Sequence, residues 1–106
     1  LGFTLVSRTD YPDGEFTLAF IRAPGDDGDG PMLELTYNWG VASYEPGKGY
    51  GHVAFQVGSM DAFAETLRAH GHDCSWGPGK APNGRTSIAF ILDPDGYQIE
   101  LIEHAQ

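Results

Sequence analysis

The sequence predicts an α+β chain in which short strands surround one helix, in the order βββ followed by βαβββ. Three observations lead there. Apolar and β-branched residues alternate or run together in six short stretches of strand length. One segment only changes to helical spacing. The 15 glycines and 7 prolines among 106 residues form no low-complexity tract but punctuate these stretches, where turns belong.

The first strand is Phe3 to Ser7, followed by Asp10-Tyr11-Pro12-Asp13-Gly14. The next, Glu15 to Arg22, places Phe16, Leu18 and Phe20 on one face, so the Pro-Asp-Gly turn between them reads as a hairpin. The Gly- and Asp-rich loop from Gly25 to Gly30 reads as a solvated turn, since the spacing and closing Glu of a calcium loop are missing. Pro31 to Tyr37 is a third strand and Gly51 to Gly58 a fourth. From Ser59 the period changes: Met60, Phe63, Ala64 and Leu67 share a helical face, with Ser59 or Asp61 as N-cap and Gly71 as the stop. A short, weak strand is expected between Asp73 and Trp76. Thr86 to Leu92 and Tyr97 to Ile102 then form a hairpin about Asp93-Pro94-Asp95-Gly96.

A repeat underlies this order. Ala19-Phe20-Ile21 with Leu33-Glu34-Leu35 echoes Ala89-Phe90-Ile91 with Ile99-Glu100-Leu101, the first intervening loop being four residues longer. The second half opens with a His-bearing strand and a helix before Gly71, whereas the first opens at Leu1-Gly2, the place of such a helix's end. The sequence thus reads as beginning inside its first module. A strand and a helix, about 20 residues at average element lengths, are expected ahead of Leu1.

Charge narrows the function. Acidic residues outnumber basic ones 15 to 6, a formal net charge of −9, which argues against both nucleic-acid backbones and anionic membrane surfaces. No apolar run approaches the roughly 20 residues of a membrane span, and no leader pattern is visible. With Cys74 the only cysteine, an internal disulfide is impossible. A cytoplasmic protein acting on a small molecule is the expectation.

Three residues form a candidate cluster: Glu34, His52 and Glu100. Each glutamate lies between two large aliphatics, so on an alternating strand it points to the opposite face from them. His52 shares its side with Ala54 and Gln56, while Val53, Phe55 and Val57 form the other. Two carboxylates and an imidazole suit a divalent first-row metal, although spacing alone does not make them converge. Each also has a plainer role, as a carboxylate on the wet face of a sheet or a hydrogen-bonding strand histidine. His70, His72 and His104 read as surface residues, and Cys74, with no base near it in the chain, as a packed side chain. Asn38 and the cations Lys48, Lys80 and Arg85 are candidates for binding a carboxylated ligand, or are ordinary solvated groups.

Three stretches, Leu33-Glu34-Leu35-Thr36-Tyr37-Asn38-Trp39-Gly40, Gly51-His52-Val53-Ala54 and Asp93-Pro94-Asp95-Gly96-Tyr97-Gln98-Ile99-Glu100-Leu101, together resemble the glyoxalase I (lactoylglutathione lyase) family of the vicinal oxygen chelate superfamily. The likeness covers essentially the whole chain; Glu-Leu-Thr-Tyr-Asn-Trp-Gly is its specific part, and the Asp-Pro-Asp-Gly turn is shared across the superfamily. The resemblance implies two βαβββ modules of the glyoxalase/bleomycin-resistance fold. Residues 1–40 would be the first, lacking its N-terminal strand and helix, 41–50 a linker and 51–106 the second. It also implies a homodimer with one divalent metal per site, held by Glu34, His52 and Glu100 and by a fourth ligand expected ahead of Leu1. The compact connection from Gly40 to Gly51 resembles forms that favour nickel or cobalt over zinc.

The reaction so implied is isomerisation of the glutathione–methylglyoxal hemithioacetal to S-D-lactoylglutathione. Glu100 would move the proton, and Glu34 would be a ligand and the base for the other diastereomer. Asn38 and Lys48 match glutathione-contacting positions; Lys80 and Arg85 match less securely. Two alternatives stand beside it. One is a non-catalytic small-molecule-binding member of the superfamily. The other is a dioxygenase, which would want a His where Glu34 stands.

Overall fold

The computed structural model describes residues 1–104. They form seven strands and one helix: β1 (Thr4–Tyr11), β2 (Phe16–Arg22), β3 (Leu33–Asn38), β4 (Val53–Gln56), α1 (Met60–Ala69), β5 (Trp76–Lys80), β6 (Ser87–Leu92) and β7 (Gln98–Glu103). The chain divides into two compact units, Leu1–Tyr44 and Glu45–Gln106. No described helix is long and apolar enough to cross a membrane.

The first unit is an antiparallel sheet in the order β1-β2-β3. Its opening hairpin turns at Pro12–Glu15, where Gly14 N–H donates to the Tyr11 carbonyl and Glu15 N–H to that of Pro12. The residue with positive φ in this turn is Glu15, at 57°, not Gly14. Gly14 is needed for another reason: a Cβ there would lie 2.5 Å from the Phe16 ring, which stacks on Tyr11. β1 runs on to Tyr11, beyond the strand expected to end near Ser7. Its polar end stays paired because Asp10 accepts a hydrogen bond from the Thr17 hydroxyl at 2.7 Å, and Thr17 in turn accepts one from the Trp39 indole at 2.8 Å. Thr17, only 6% exposed, is thereby satisfied.

The second unit is a mixed sheet in the order β4-β7-β6-β5, with β4 parallel to β7 and the other pairs antiparallel. Alternation divides its faces. Ala89, Ile91 and Leu101 are buried with Met60 of α1, and Phe55, Val57, Phe63, Leu67, Cys74 and Ile99 pack around them. The helix begins where expected, with the Ser59 hydroxyl accepting from Ala62 N–H, and ends before Gly71, whose φ is +82°. Glu103 ties it to β7 by accepting from Met60 N–H at 3.0 Å, a carboxylate at the positive end of the helix.

The Asp93–Tyr97 turn sets the register of the last hairpin. Asp93 accepts from Asp95 and Tyr97 N–H through its side chain and from Gly96 N–H through its carbonyl. A slip of one residue would send Glu100 to the helix side.

The weak strand expected at Asp73–Trp76 is displaced: β5 runs from Trp76 to Lys80, and only Ser75 of the earlier stretch also bonds to β6, through the Phe90 carbonyl. Gly77-Pro78-Gly79 looks like a breaker in the sequence. At the sheet edge proline costs no needed donor, and a bulge absorbs the irregularity, with Trp76 opposite Phe90 and Gly79 opposite Ile88.

Candidate active site

On the second sheet, the face away from α1 carries Phe90 and Glu100, cross-strand partners on β6 and β7, with Ala54 of β4 beside Glu100. His52 immediately precedes β4, and its Nε2 lies 2.8 Å from Glu100 Oε1. Their side chains are 37% and 17% exposed, so the carboxylate is mostly sheltered while the imidazole stays accessible. The His52 ring also meets Phe90 edge-on, with centroids 5.1 Å apart. Phe90 thus walls one side of the pair.

This geometry fits a divalent cation in part. A neutral imidazole nitrogen and a carboxylate oxygen are suitable donors. Two ligands bonded at about 2.1 Å in adjacent coordination positions lie roughly 3 Å apart. His52 Nε2 and Glu100 Oε1 need only a small adjustment to reach that separation. Among the described residues, no group of three His, Cys, Asp or Glu side chains converges as a metal site.

Glu34 is exposed on β3, opposite Phe20. Phe20–Glu34 and Phe90–Glu100 are therefore the same cross-strand pair in the two sheets, as the repeat predicts. Asn38, at the end of β3, donates to the Tyr44 hydroxyl at 2.7 Å. Lys48 is exposed in the turn before His52. Arg85 is exposed in the loop before β6, its N–H bonded to Asn83. Lys80, also exposed, lies at the end of β5 and lines a cavity of about 670 Å³ with Trp76, Ile88, Phe90, Leu92 and Gln98 among its walls.

Sequence reasoning singled out neither Phe90 nor Trp76. Phe90 was within reach through its repeat partner Phe20 and its place opposite Glu100. Trp76 was not, because the bulge that orients it has no sequence signature of its own. Cys74 is half-buried and free. Burial pushes its thiol pKa up, the Asp73 carboxylate adds to the rise, and Arg68 opposes it. That suits a packed residue, not a nucleophile.

The accessible face of the second sheet presents an imidazole–carboxylate pair beside an aromatic wall, a candidate site for a small polar ligand. Residues 1–101 match the model of the Glyoxalase/Bleomycin resistance protein/Dioxygenase superfamily, and the chain belongs to that superfamily. Among its curated relatives is a probable lactoylglutathione lyase of Vibrio cholerae, 44% identical over 106 residues, all of this chain and 76% of the relative. Another is the lactoylglutathione lyase of Neisseria meningitidis serogroup B, 44% identical over 103 residues, 97% of this chain and 74% of the relative. Among solved structures, glyoxalase I from Zea mays superposes with a TM-score of 0.82 at 39% identity, over 99% of this chain and 37% of the maize chain. The trypanothione-dependent glyoxalase I of Leishmania major gives a TM-score of 0.76 at 34% identity, over 96% of this chain and 69% of that one.

Proposed function

We propose that the protein is a lactoylglutathione lyase, isomerising the hemithioacetal of glutathione and methylglyoxal to S-D-lactoylglutathione. The observation that carries this reading is the His52–Glu100 pair on the open face of the second sheet. Identity of 44% to proteins named for the activity supports it. His52, Glu100 and Glu34 are the proposed metal ligands, with nickel or cobalt favoured over zinc, in a cytoplasmic homodimer.

A bound divalent cation would supply positive charge to the substrate oxygens as negative charge develops on them. The remaining chemistry falls to the chain. Glu100 removes the proton from the carbon bearing sulfur and returns it to the neighbouring carbon, a transfer that needs one carboxylate within reach of both atoms. His52 would hold the cation beside that carboxylate, and Phe90 walls one side of the pair. Glu34 serves the opposite diastereomer. Asn38 and Lys48 receive the glutathione peptide, together with Lys80 and Arg85, whose positive charges suit its carboxylates.

The test is thioester formation from methylglyoxal and glutathione by protein stripped of metal, then reloaded separately with nickel, cobalt and zinc. Product that requires metal, and is greatest with nickel or cobalt, is expected. Folded protein that forms no product with any of them would instead be the non-catalytic binding member of the superfamily.

A further inference from the structure

Asn38 is exposed, yet its backbone is held from both sides. It pairs with Phe16 in the register of β2 and β3. Trp39, next in the chain, donates its N–H to the Glu15 carbonyl at 2.9 Å and its indole N–H to Thr17 Oγ1 at 2.8 Å. Beyond it the chain reverses. Val41 N–H returns to the Asn38 carbonyl at 3.1 Å, and Gly40, the third residue of this turn, has a φ of +81°. A type II turn asks for a glycine at that place.

The reversal brings Tyr44 back to Asn38, whose Nδ2 donates to the tyrosine hydroxyl at 2.7 Å. Tyr44 is itself 58% exposed, so burial of its ring contributes little to the fold. What the contact does is settle the amide. A free asparagine side chain turns between orientations that exchange its oxygen and its nitrogen. With Nδ2 committed to Tyr44 the exchange is blocked, and one N–H and the carbonyl oxygen stay open to a ligand. A peptide group offers one N–H and one carbonyl in return, so it meets an acceptor and a donor already in place.

We infer that Tyr44 is a positioning residue, whose hydroxyl orients the Asn38 amide for the glutathione peptide of the substrate. The inference rests on the part proposed for Asn38 in the lyase reaction and adds the residue that sets its orientation. Ordering one side chain before the ligand arrives is worth roughly two- to tenfold in affinity. The effect belongs to binding and not to proton transfer, so it falls on KM and spares kcat.

Tyr44→Phe deletes one oxygen from an exposed ring and tests this directly. In the metal-loaded protein, KM for the glutathione–methylglyoxal hemithioacetal is expected to rise about fivefold, with kcat changed less than about twofold. Asn38→Ala supplies the control that a merely structural role would not pass. In that background the hydroxyl has no amide to orient, so adding Tyr44→Phe is expected to change KM by less than about twofold. A rise that persists in full without the Asn38 amide would mean that Tyr44 acts by itself, and would overturn the inference. So would an unchanged KM in Tyr44→Phe, or a lowered one, which would show the hydroxyl competing with the ligand for the amide. Each of these results leaves turnover, and with it the lyase reading, intact.

If the protein turns over no substrate with any metal, glutathione alone decides. It is titrated while the Asn38 side-chain amide signals are followed by NMR. Saturable shifts of those signals, with affinity about fivefold weaker in Tyr44→Phe, keep the oriented amide and discard the lyase reading. Equal affinity in both proteins, or no shift at all, overturns the inference together with that reading.

Discussion

The two units carry the same cross-strand motif and bury it differently. In the second, Ala89 and Leu101 are fully buried and Ile91 nearly so, because α1 lies on that face. In the first, the matching Ala19 and Ile21 are only half-buried, and Leu35 is 47% exposed. Alternation in a strand thus decides which residues share a face, while burial depends on a second layer arriving. The carboxylates differ in parallel. Glu100 is sheltered and hydrogen-bonded to His52; Glu34 is exposed.

Changes at the carboxylates test this contrast most strongly. Glu100→Gln is expected to lower turnover of the metal-loaded protein by about 10²–10⁴-fold, the usual worth of a positioned proton-transfer group. Glu34→Gln should cost less in proton transfer, and its effect should appear chiefly as weaker metal binding. Stopped-flow rates and metal titration of both variants separate the two. Equal loss of turnover with unchanged metal affinity in each would erase the distinction between the carboxylates.

Packing comes next. Leu101→Ala removes a fully buried side chain and is expected to cost about 2–5 kcal/mol, whereas Leu35→Ala on the exposed face should cost less than about 1 kcal/mol. Denaturant melts of the two variants measure the difference. A large loss from Leu35→Ala would mean that its face is covered in solution.

A smaller effect belongs to the mounting of α1. Glu103→Ala removes the acceptor of Met60 N–H and should cost about 1 kcal/mol, read as a lowered melting temperature. Smallest of all is the behaviour of Cys74. Its raised pKa leaves less thiolate near neutral pH than an unperturbed cysteine has, so alkylation by iodoacetamide should be slower than that of a cysteine peptide. Reaction should quicken as the pH rises, and fast labelling at pH 7 would contradict the packed environment assigned to it.

Much of this architecture was legible beforehand. Helical spacing from Met60 to Leu67, a cap expected at Ser59 or Asp61 and the Gly71 stop located α1 within a residue or two, and the structure makes Ser59 the cap. The Asp93–Gly96 turn located the last hairpin, because an aspartate accepting successive backbone N–H groups is a local device readable in a few adjacent residues. Strand β5 was misplaced because Gly77-Pro78-Gly79 has poor intrinsic strand propensity, and only pairing with β6 makes a strand of it. The side on which His52 falls was legible from the alternation of Val53, Phe55 and Val57, although the strand expected from Gly51 to Gly58 is shorter, Val53–Gln56, and His52 lies just ahead of it.

By itself, the sequence determined which residues alternate, where turns and caps fall, and that Phe20–Glu34 and Phe90–Glu100 repeat one another. These follow from local sterics and hydrogen bonding over a few residues. Tertiary structure alone decided that His52 reaches Glu100 across 48 positions of chain, that Phe90 stands between His52 and Trp76, and that a bulge turns Trp76 over Gly79. Such relations depend on strand order and register, which arise when separate segments pair and have no counterpart in any short stretch of sequence.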